Sequence, residues 1–344
     1  MKTIPKFSKI VLDWFEENQR TLPWRSETDP YKIWISEIIL QQTRVNQGWN
    51  YYLRFIEQFT DVKTLAESPL KEVLKVWQGL GYYSRARNLH TAANQIMCNH
   101  QGVFPKNYLD IRKLKGIGDY TAAAISSLAF QLPYPAVDGN VIRVMTRIFG
   151  IYENISQSLT VKNITQLCEK MIDTENPGNF NQALMEFGAI HCTPKKPKCD
   201  DCPFGTYCVA FTREHQTILP LKLLKTKIKY RYFHYFIFLK ENKTLIEQRV
   251  ENDIWKNLYQ FPLIETEKPI ESQDIAPLHW GKFTSVFLKE IKHKLTHQHL
   301  TIRFYVVNEY FSEVTNNWFS VSVDDLENYP FPVVIGKIVH DILG

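Results

Sequence analysis

Apolar residues return at three- and four-residue steps from the beginning of the chain. Phe7, Ile10, Val11, Trp14 and Phe15 mark one face of a helix over residues 6–20. Leu22-Pro23-Trp24-Arg25 breaks that pattern, because proline stops the helix. Ile33, Trp34, Ile38 and Leu40 then predict a second helix between Pro30 and Val45. Several stretches between Leu70 and Ile172 keep the helical period, with a break at Gly79 and Gly81. Leu80 and Tyr82 are expected to project from that break beside Arg85 and Arg87. Beyond residue 230 the pattern changes. Tyr230–Lys240 and Leu300–Val307 carry the aromatic and branched residues of strands, while Thr284–Ile291 and Val334–Leu343 read as helices. The Lys-rich segment 213–229 lacks a clean period and reads as a linker. The expected organisation is a mostly α region over 1–212, a linker over 213–229 and a smaller α/β domain over 230–344.

A chain of 344 residues is long enough for two domains with real cores. Its net charge of +5 suits a polyanionic partner. No apolar run approaches the roughly 18 residues of a membrane span. The first 19 residues carry acids early and read as an amphipathic helix, not a signal peptide. Without a secretory signal, the six cysteines point to reduced thiols or metal ligands before disulfides. Cys98 and Cys168 are isolated and read as core thiols. The other four, Cys192, Cys199, Cys202 and Cys208, fall within seventeen residues in a Pro- and Lys-rich stretch, so they sit on a loop. Four clustered thiolates bind either zinc or an iron–sulfur cluster, and Lys195, Lys196 and Lys198 among them suit phosphate contact.

Two stretches carry the candidate chemistry. Leu114 to Asn140 reads as helix, tight turn and helix, with Gly116 and Gly118 beside Lys115. A Gly-x-Gly turn before a helix start lets backbone N–H groups approach an anion. About twenty residues on, Asp138 stands between the apolar approach Pro135-Ala136-Val137 and Gly139-Asn140. Glu37 lies inside the apolar second helix. If desolvated there, it has the raised pKa of a general acid; otherwise it occupies a wet helix face. Gln41 and Gln42, at the end of that helix, are amides suited to reading base edges or wedging into a stack.

The runs LKGIG-x-YTA and VDGNV-x-RV resemble the helix-hairpin-helix DNA glycosylases, and specifically the adenine DNA glycosylases that act opposite 8-oxoguanine. The resemblance implies a helical catalytic region with its hairpin at 114–138 and a [4Fe–4S] loop at 192–208, since the thiol spacing is similar to that of endonuclease III. It implies Glu37, in SEIILQQT, as the catalytic acid and Asp138 as its anionic partner, kept charged beside Asn140. Tyr120 stands where bifunctional relatives carry the lysine that forms a Schiff base, which implies a monofunctional enzyme. Trp24, Arg25 and Gln182 become pocket residues by the same resemblance; Gln42, Leu80 and Tyr82 become candidates for holding the gap open, with Gln41 and Arg85 as further DNA-binding residues; Lys115, Gly116 and Gly118 are expected to grip phosphate. WKNLYQFP (255–262) and KLTHQHL (294–300) resemble the Nudix-like lesion-recognition domain of the family. There the family carries Phe-Ser-His, and this chain has Leu295-Thr296-His297. The metal-binding helix of true Nudix hydrolases is absent from the sequence, so no pyrophosphatase activity is expected. The expected partner is double-stranded DNA with adenine opposite 8-oxoguanine or guanine, bound by a cytoplasmic monomer at the nucleoid. The rival readings are an endonuclease III-like glycosylase/lyase for oxidised pyrimidines, a non-catalytic iron–sulfur DNA-binding protein and a zinc-dependent regulator.

Overall fold

The computed structural model describes residues 4, 6–223, 227–269, 285–307 and 317–343. The chain divides into two compact units, residues 1–67 with 88–224 and residues 68–87 with 225–344. The expected division at 212 therefore misses that residues 68–87 cluster with the C-terminal unit. It also misses that the first part of the linker packs on the first unit, where Leu219 is buried in the core and its carbonyl accepts from Arg147 Nε at 3.1 Å.

Helices build the first unit. They are α1 (Phe7–Asn18), α2 (Pro30–Leu40), α3 (Val45–Gln58), α4 (Val62–Glu67), most of α6 (Ser84–His100), α7 (Tyr108–Lys113), α8 (Asp119–Phe130), α9 (Gly139–Phe149), α10 (Ser158–Glu169), α11 (Pro177–Glu186) and the short α12 (Val209–Thr212), while α5 (Leu70–Val76) belongs to the second unit. Asp29 caps α2 by accepting from Tyr31 N, and Pro30 starts it. From Ile33 to Ile39 every residue of α2 is buried, as befits a helix that is apolar nearly all round. The small residues Ala122, Ala123 and Ala124 of α8, all buried, let it pack closely on α2. A turn of π-helix, Phe187–His191, follows α11 and leads into Cys192.

The expected hairpin is present as α7, a turn and α8. Gly116 takes φ +80°, and a Cβ there would meet the Asn88 side chain at 2.6 Å. Gly118 is extended at φ −93°, ψ 178°, and a Cβ there would meet nothing within 4 Å. Only the first glycine is thus required by the backbone.

In the second unit, β1 (Lys229–Phe238) pairs parallel with β6 (Gln298–Val307) and antiparallel with β4 (Leu263–Thr266). β5 (Ser285–Lys294) adds antiparallel to β6, giving the order β4-β1-β6-β5. A three-stranded sheet has the order β3 (Tyr259–Gln260), β2 (Lys243–Gln248), β7 (Phe319–Ser322). Helix α13 (Val333–Leu343) buries Val334, Ile335, Ile338 and Val339 against Phe233, Ile302 and Phe304. The helix expected over 284–291 is instead strand β5, residue 284 lying outside the described residues. Cys98 is exposed and not a core thiol; Cys168 is buried as expected.

Alanine at position 116 must accept both a left-handed backbone and a collision with Asn88, so Gly116→Ala is expected to cost roughly 1–3 kcal/mol. Gly118→Ala should stay within about 0.5 kcal/mol. Urea unfolding of the two variants checks the contrast, and equal midpoints would contradict it.

Candidate active site

A cavity of about 590 Å³ in the first unit is lined by Trp24, Arg25, Glu37, Gln41, Gln42, Tyr120, Asp138, Asn140, Gln182, Met185 and Glu186, among others. That size suits a small polar ligand or a single base. Helix α2 delivers Glu37, α8 delivers Tyr120, and Asp138 is the N-cap of α9. Nine of the candidates named from the sequence therefore meet in one place.

Glu37 is buried, with 8% of its surface exposed. Tyr120 Oη donates to Glu37 Oε2 at 2.7 Å and lies 3.3 Å from Met185 Sδ. Burial raises the Glu37 carboxyl to about 7; the Tyr120 hydrogen bond opposes the rise, nearby Asp138 adds to it, and Arg25 opposes it. The wet-face alternative fails because α2 has no wet face at this point. Asp138 behaves differently from expectation. Burial pushes its carboxyl up as well, against hydrogen bonds from Val141 N (2.8 Å) and Asn140 Nδ2 (2.7 Å) and the charge of Arg143. The two carboxyl groups differ less in burial than in the donors each one meets.

Arg25 lies over the Phe15 ring and donates to Gln182 Oε1 at 2.8 Å, while Gln182 Nε2 returns a bond to the Arg25 carbonyl at 3.2 Å. The Gln182 amide is thereby fixed at both ends. Trp24 packs edge-on to Tyr52 and tilted against Trp49. Gln41 Nε2 reaches Thr121 Oγ1 at 3.2 Å, and Gln42 takes a left-handed backbone at φ 59°. Sequence reasoning missed Glu186, whose buried carboxylate pairs with Arg20 and Arg25. The signal was its place one helical turn after Gln182 on α11. It also missed Arg143, one turn after Asn140. Arg143 donates to Asn140 Oδ1 and to the carbonyls of Gly188 and Cys192, all within 2.9 Å. A Cβ at Gly188 would stand 2.7 Å from Asn140 Cβ, so glycine permits this approach.

The turn after α5 is built otherwise than expected. Leu80 is buried, and Arg85, 7% exposed, folds its guanidinium back onto the carbonyls of Leu80 and Gly81. Neither projects; an aliphatic side chain is covered where it can be, and the guanidinium satisfies carbonyls of the tight turn. Tyr82 is the exposed tip at φ 46°, and its Oη lies 2.6 Å from Thr296 Oγ1 in the same unit. Thr296 and His297 sit in the turn between β5 and β6, closed by Leu295 N to Gln298 O at 2.7 Å. Lys115 lies in the hairpin turn, its backbone N–H held by Gln95 Oε1.

Cys192, Cys199, Cys202 and Cys208 line one small cavity with Arg147 and His191, and none forms a disulfide. Burial pushes the thiols of Cys199, Cys202 and Cys208 up, Cys202 to about 12. A pocket so averse to bare thiolates suits a metal centre that supplies the missing positive charge. Arg147 Nη1 donates to Cys192 Sγ at 3.4 Å and to the Thr193 carbonyl at 2.7 Å. The four sulfur donors fit an iron–sulfur cluster.

Three sequence families match the chain. Residues 35–170 match the HhH-GPD superfamily of base excision DNA repair proteins, residues 192–208 the iron–sulfur binding domain of endonuclease III, and residues 234–341 the NUDIX domain. Adenine DNA glycosylase from Buchnera aphidicola (strain Sg) is 36% identical over 96% of this chain and 97% of its own length. The protein of the same name from Arabidopsis thaliana is 36% identical over 76% of this chain and 48% of its own; that from Homo sapiens is 37% identical over 62% and 41%. Among solved structures, a thermostable thymine-DNA glycosylase superposes with a TM-score of 0.56 at 31% identity, covering 60% of this chain and 95% of its own. An endonuclease III–DNA complex shares the fold, with a TM-score of 0.53 at 23% identity over 61% and 95%.

The Glu37 carboxyl ionises near 4.5 when unfolded and near 7 when folded. Between those values the folded state holds the extra proton, so stability falls as pH rises through the window, and above it the fold carries a buried carboxylate. Glu37→Gln keeps the shape without the charge. It should be more stable than the parent by roughly 1–3 kcal/mol at pH 8 and equal to it at pH 4. Urea midpoints at the two pH values test this; a difference that ignores pH would refute the buried-acid assignment.

Proposed function

The chain belongs to the adenine DNA glycosylases of the helix-hairpin-helix base-excision-repair superfamily, and from that premise we propose which residues perform the reaction and on which mispair. DNA is the substrate, and hydrolysis of the bond between adenine and deoxyribose is the reaction. The observation that carries the assignment of roles is the hydrogen bond from Tyr120 to Glu37 inside a cavity that Asp138 also lines.

Adenine must leave the duplex to reach such a cavity. Glu37 Oε2 is occupied by Tyr120, which leaves Oε1 to carry the acid proton. Glu37 gives that proton to N7 of adenine as the C1′–N9 bond breaks, and the bonding pair departs with the base. The sugar becomes oxocarbenium-like, and Asp138 as carboxylate stabilises that cation or captures it at C1′. Water then adds at C1′, its proton returns to a carboxylate, and the products are adenine and an abasic site. Trp24, Arg25 and Gln182 hold the base; Gln41, Gln42 and Tyr82 keep the duplex open; Lys115 and the Gly116 turn hold the backbone. Cys192, Cys199, Cys202 and Cys208 would hold the iron–sulfur cluster, which would supply structure to the loop. Tyr120 cannot form an imine, which supports a monofunctional enzyme. Recognition of 8-oxoguanine or guanine opposite the adenine falls to the turn that carries Thr296 and His297, beside Tyr82.

Labelled duplexes carrying adenine opposite 8-oxoguanine, adenine opposite guanine, thymine opposite guanine and thymine glycol separate the readings. The adenine strands should be cut only after hot alkali, faster opposite 8-oxoguanine, with no borohydride-trapped adduct. The single-turnover rate should fall as pH rises through about 7, where Glu37 loses its proton. Cutting of the thymine-glycol strand without alkali, or of the thymine strand alone, would overturn the assignment.

A further inference from the structure

Residues 131–138, without helix or strand, carry the chain from α8 to the Asp138 cap of α9. Pro133 and Pro135 lie among them and have no backbone N–H to give. A side chain fixes the segment instead. Asn181, buried on α11, accepts from Ala136 N at 3.0 Å through Oδ1 and donates to the Tyr134 carbonyl at 2.8 Å through Nδ2. The amide thus pairs with the backbone on both sides of Pro135, as a neighbouring strand would. Nδ2 also donates to Ser127 Oγ on α8 at 2.8 Å, so both of its hydrogens are used. Ser127 in turn donates to the Ala124 carbonyl at 3.2 Å. Ala136 itself is buried against Ala123 and Ala124. Asp138 follows Ala136 by two residues and Gln182 follows Asn181 directly; both line the cavity.

We propose that Asn181 is a positioning residue for Asp138: it locks residues 134–136 to α11 and α8, and so holds the carboxylate where the sugar cation forms. This inference rests on the anionic role given to Asp138 above. The bonds from Val141 and Asn140 orient the Asp138 carboxyl on α9; Asn181 fixes the chain that leads into it. A misplacement of about 1 Å costs on the order of 100-fold in rate. The base pocket is held separately, because Gln182 is fixed by Arg25. Loss of Asn181 therefore weakens stabilisation of the cation and spares binding of the flipped base.

The test compares two duplexes bound to cluster-loaded protein, each opposite 8-oxoguanine. One carries 2′-fluoro-deoxyadenosine, an uncleaved neutral substrate. The other carries a cationic pyrrolidine in place of the sugar, with no base, and imitates the charge of the transition state. Single-turnover rates on the ordinary adenine duplex are measured alongside. In Asn181→Leu, which keeps the size without the amide, the rate should fall roughly 10- to 100-fold and affinity for the cationic duplex about tenfold. Affinity for the fluoro duplex should stay within about twofold. A purely structural role lowers both affinities by the same factor or lowers neither, and either result overturns the proposal. Asp138→Asn is the control. If it keeps the parent's preference for the cationic duplex, the role given to Asp138 fails and the proposal falls with it. If it loses that preference while Asn181→Leu keeps it, Asp138 acts as described and only the positioning role is overturned. Should Asn181→Leu not fold, Ser127→Ala decides. It strands one amide hydrogen of Asn181 and frees the amide to turn, so the preference for the cationic duplex should fall about threefold, with the fluoro affinity unmoved. An unchanged preference overturns the proposal.

Discussion

Removing one carboxyl group from water is the constraint around which the first unit is arranged. Helix α2 is buried on every side from Ile33 to Ile39, and Glu37 is buried with it. Two features make this possible. The small residues of α8 bring that helix close enough for Tyr120 to reach Glu37, and the Tyr120 hydroxyl gives the carboxyl one donor that water no longer provides. A single neutral donor is too weak to restore the ionised form against burial, which is why the carboxyl titrates near neutrality. Tighter solvation would stabilise the fold and remove the acid. A site of this kind trades stability for chemistry.

Asp138 shows the other way to hold a buried carboxylate. As the cap of α9 it accepts from the backbone at Val141 and from Asn140, and Asn140 is held in turn by Arg143. The same helix carries Arg147, whose guanidinium reaches Cys192, Thr193 and Pro194. One helix of eleven residues thus fixes the Asp138 carboxylate at its start and the cysteine loop further along. Gly188 lets the π-turn before Cys192 lie against Asn140. A displacement of the loop would be felt at the cap of α9 through rigid hydrogen bonds, not through a long lever.

Much of this was legible in the sequence, and the failures have physical causes. The helical period gave α1, α2 and α13, glycine and aspartate placed the hairpin, and thiol spacing placed the metal loop. Strand β5 was misread because Val286, Phe287, Leu288 and Ile291 imitate helical spacing; a bulge between Phe287 and Lys289 breaks the two-residue alternation that would have marked a strand. The allegiance of residues 68–87 was invisible because long-range packing has no local signature. In the site, residue types were readable but ion pairing was not. Nothing in composition tells that Glu186 would gather two arginines, although its spacing from Gln182 put both on one face.

The Tyr82 turn shows how one wrong reading corrects another. Taken as two projecting side chains flanked by free arginines, it would need only exposure. In the structure Leu80 is covered and Arg85 binds the carbonyls that the tight turn leaves over, so the arginine shapes the turn and Tyr82 alone is presented. Its φ of 46° is strained for a tyrosine and persists only because neighbours over-determine it. Those neighbours are Arg85 and the Thr296 hydroxyl. The hydroxyl that remains where the related family carries serine is therefore engaged in aiming an aromatic ring contributed from more than two hundred residues away in sequence. Leucine at 295 brings no aromatic ring to this turn, and the hydroxyl-to-tyrosine bond does not depend on one.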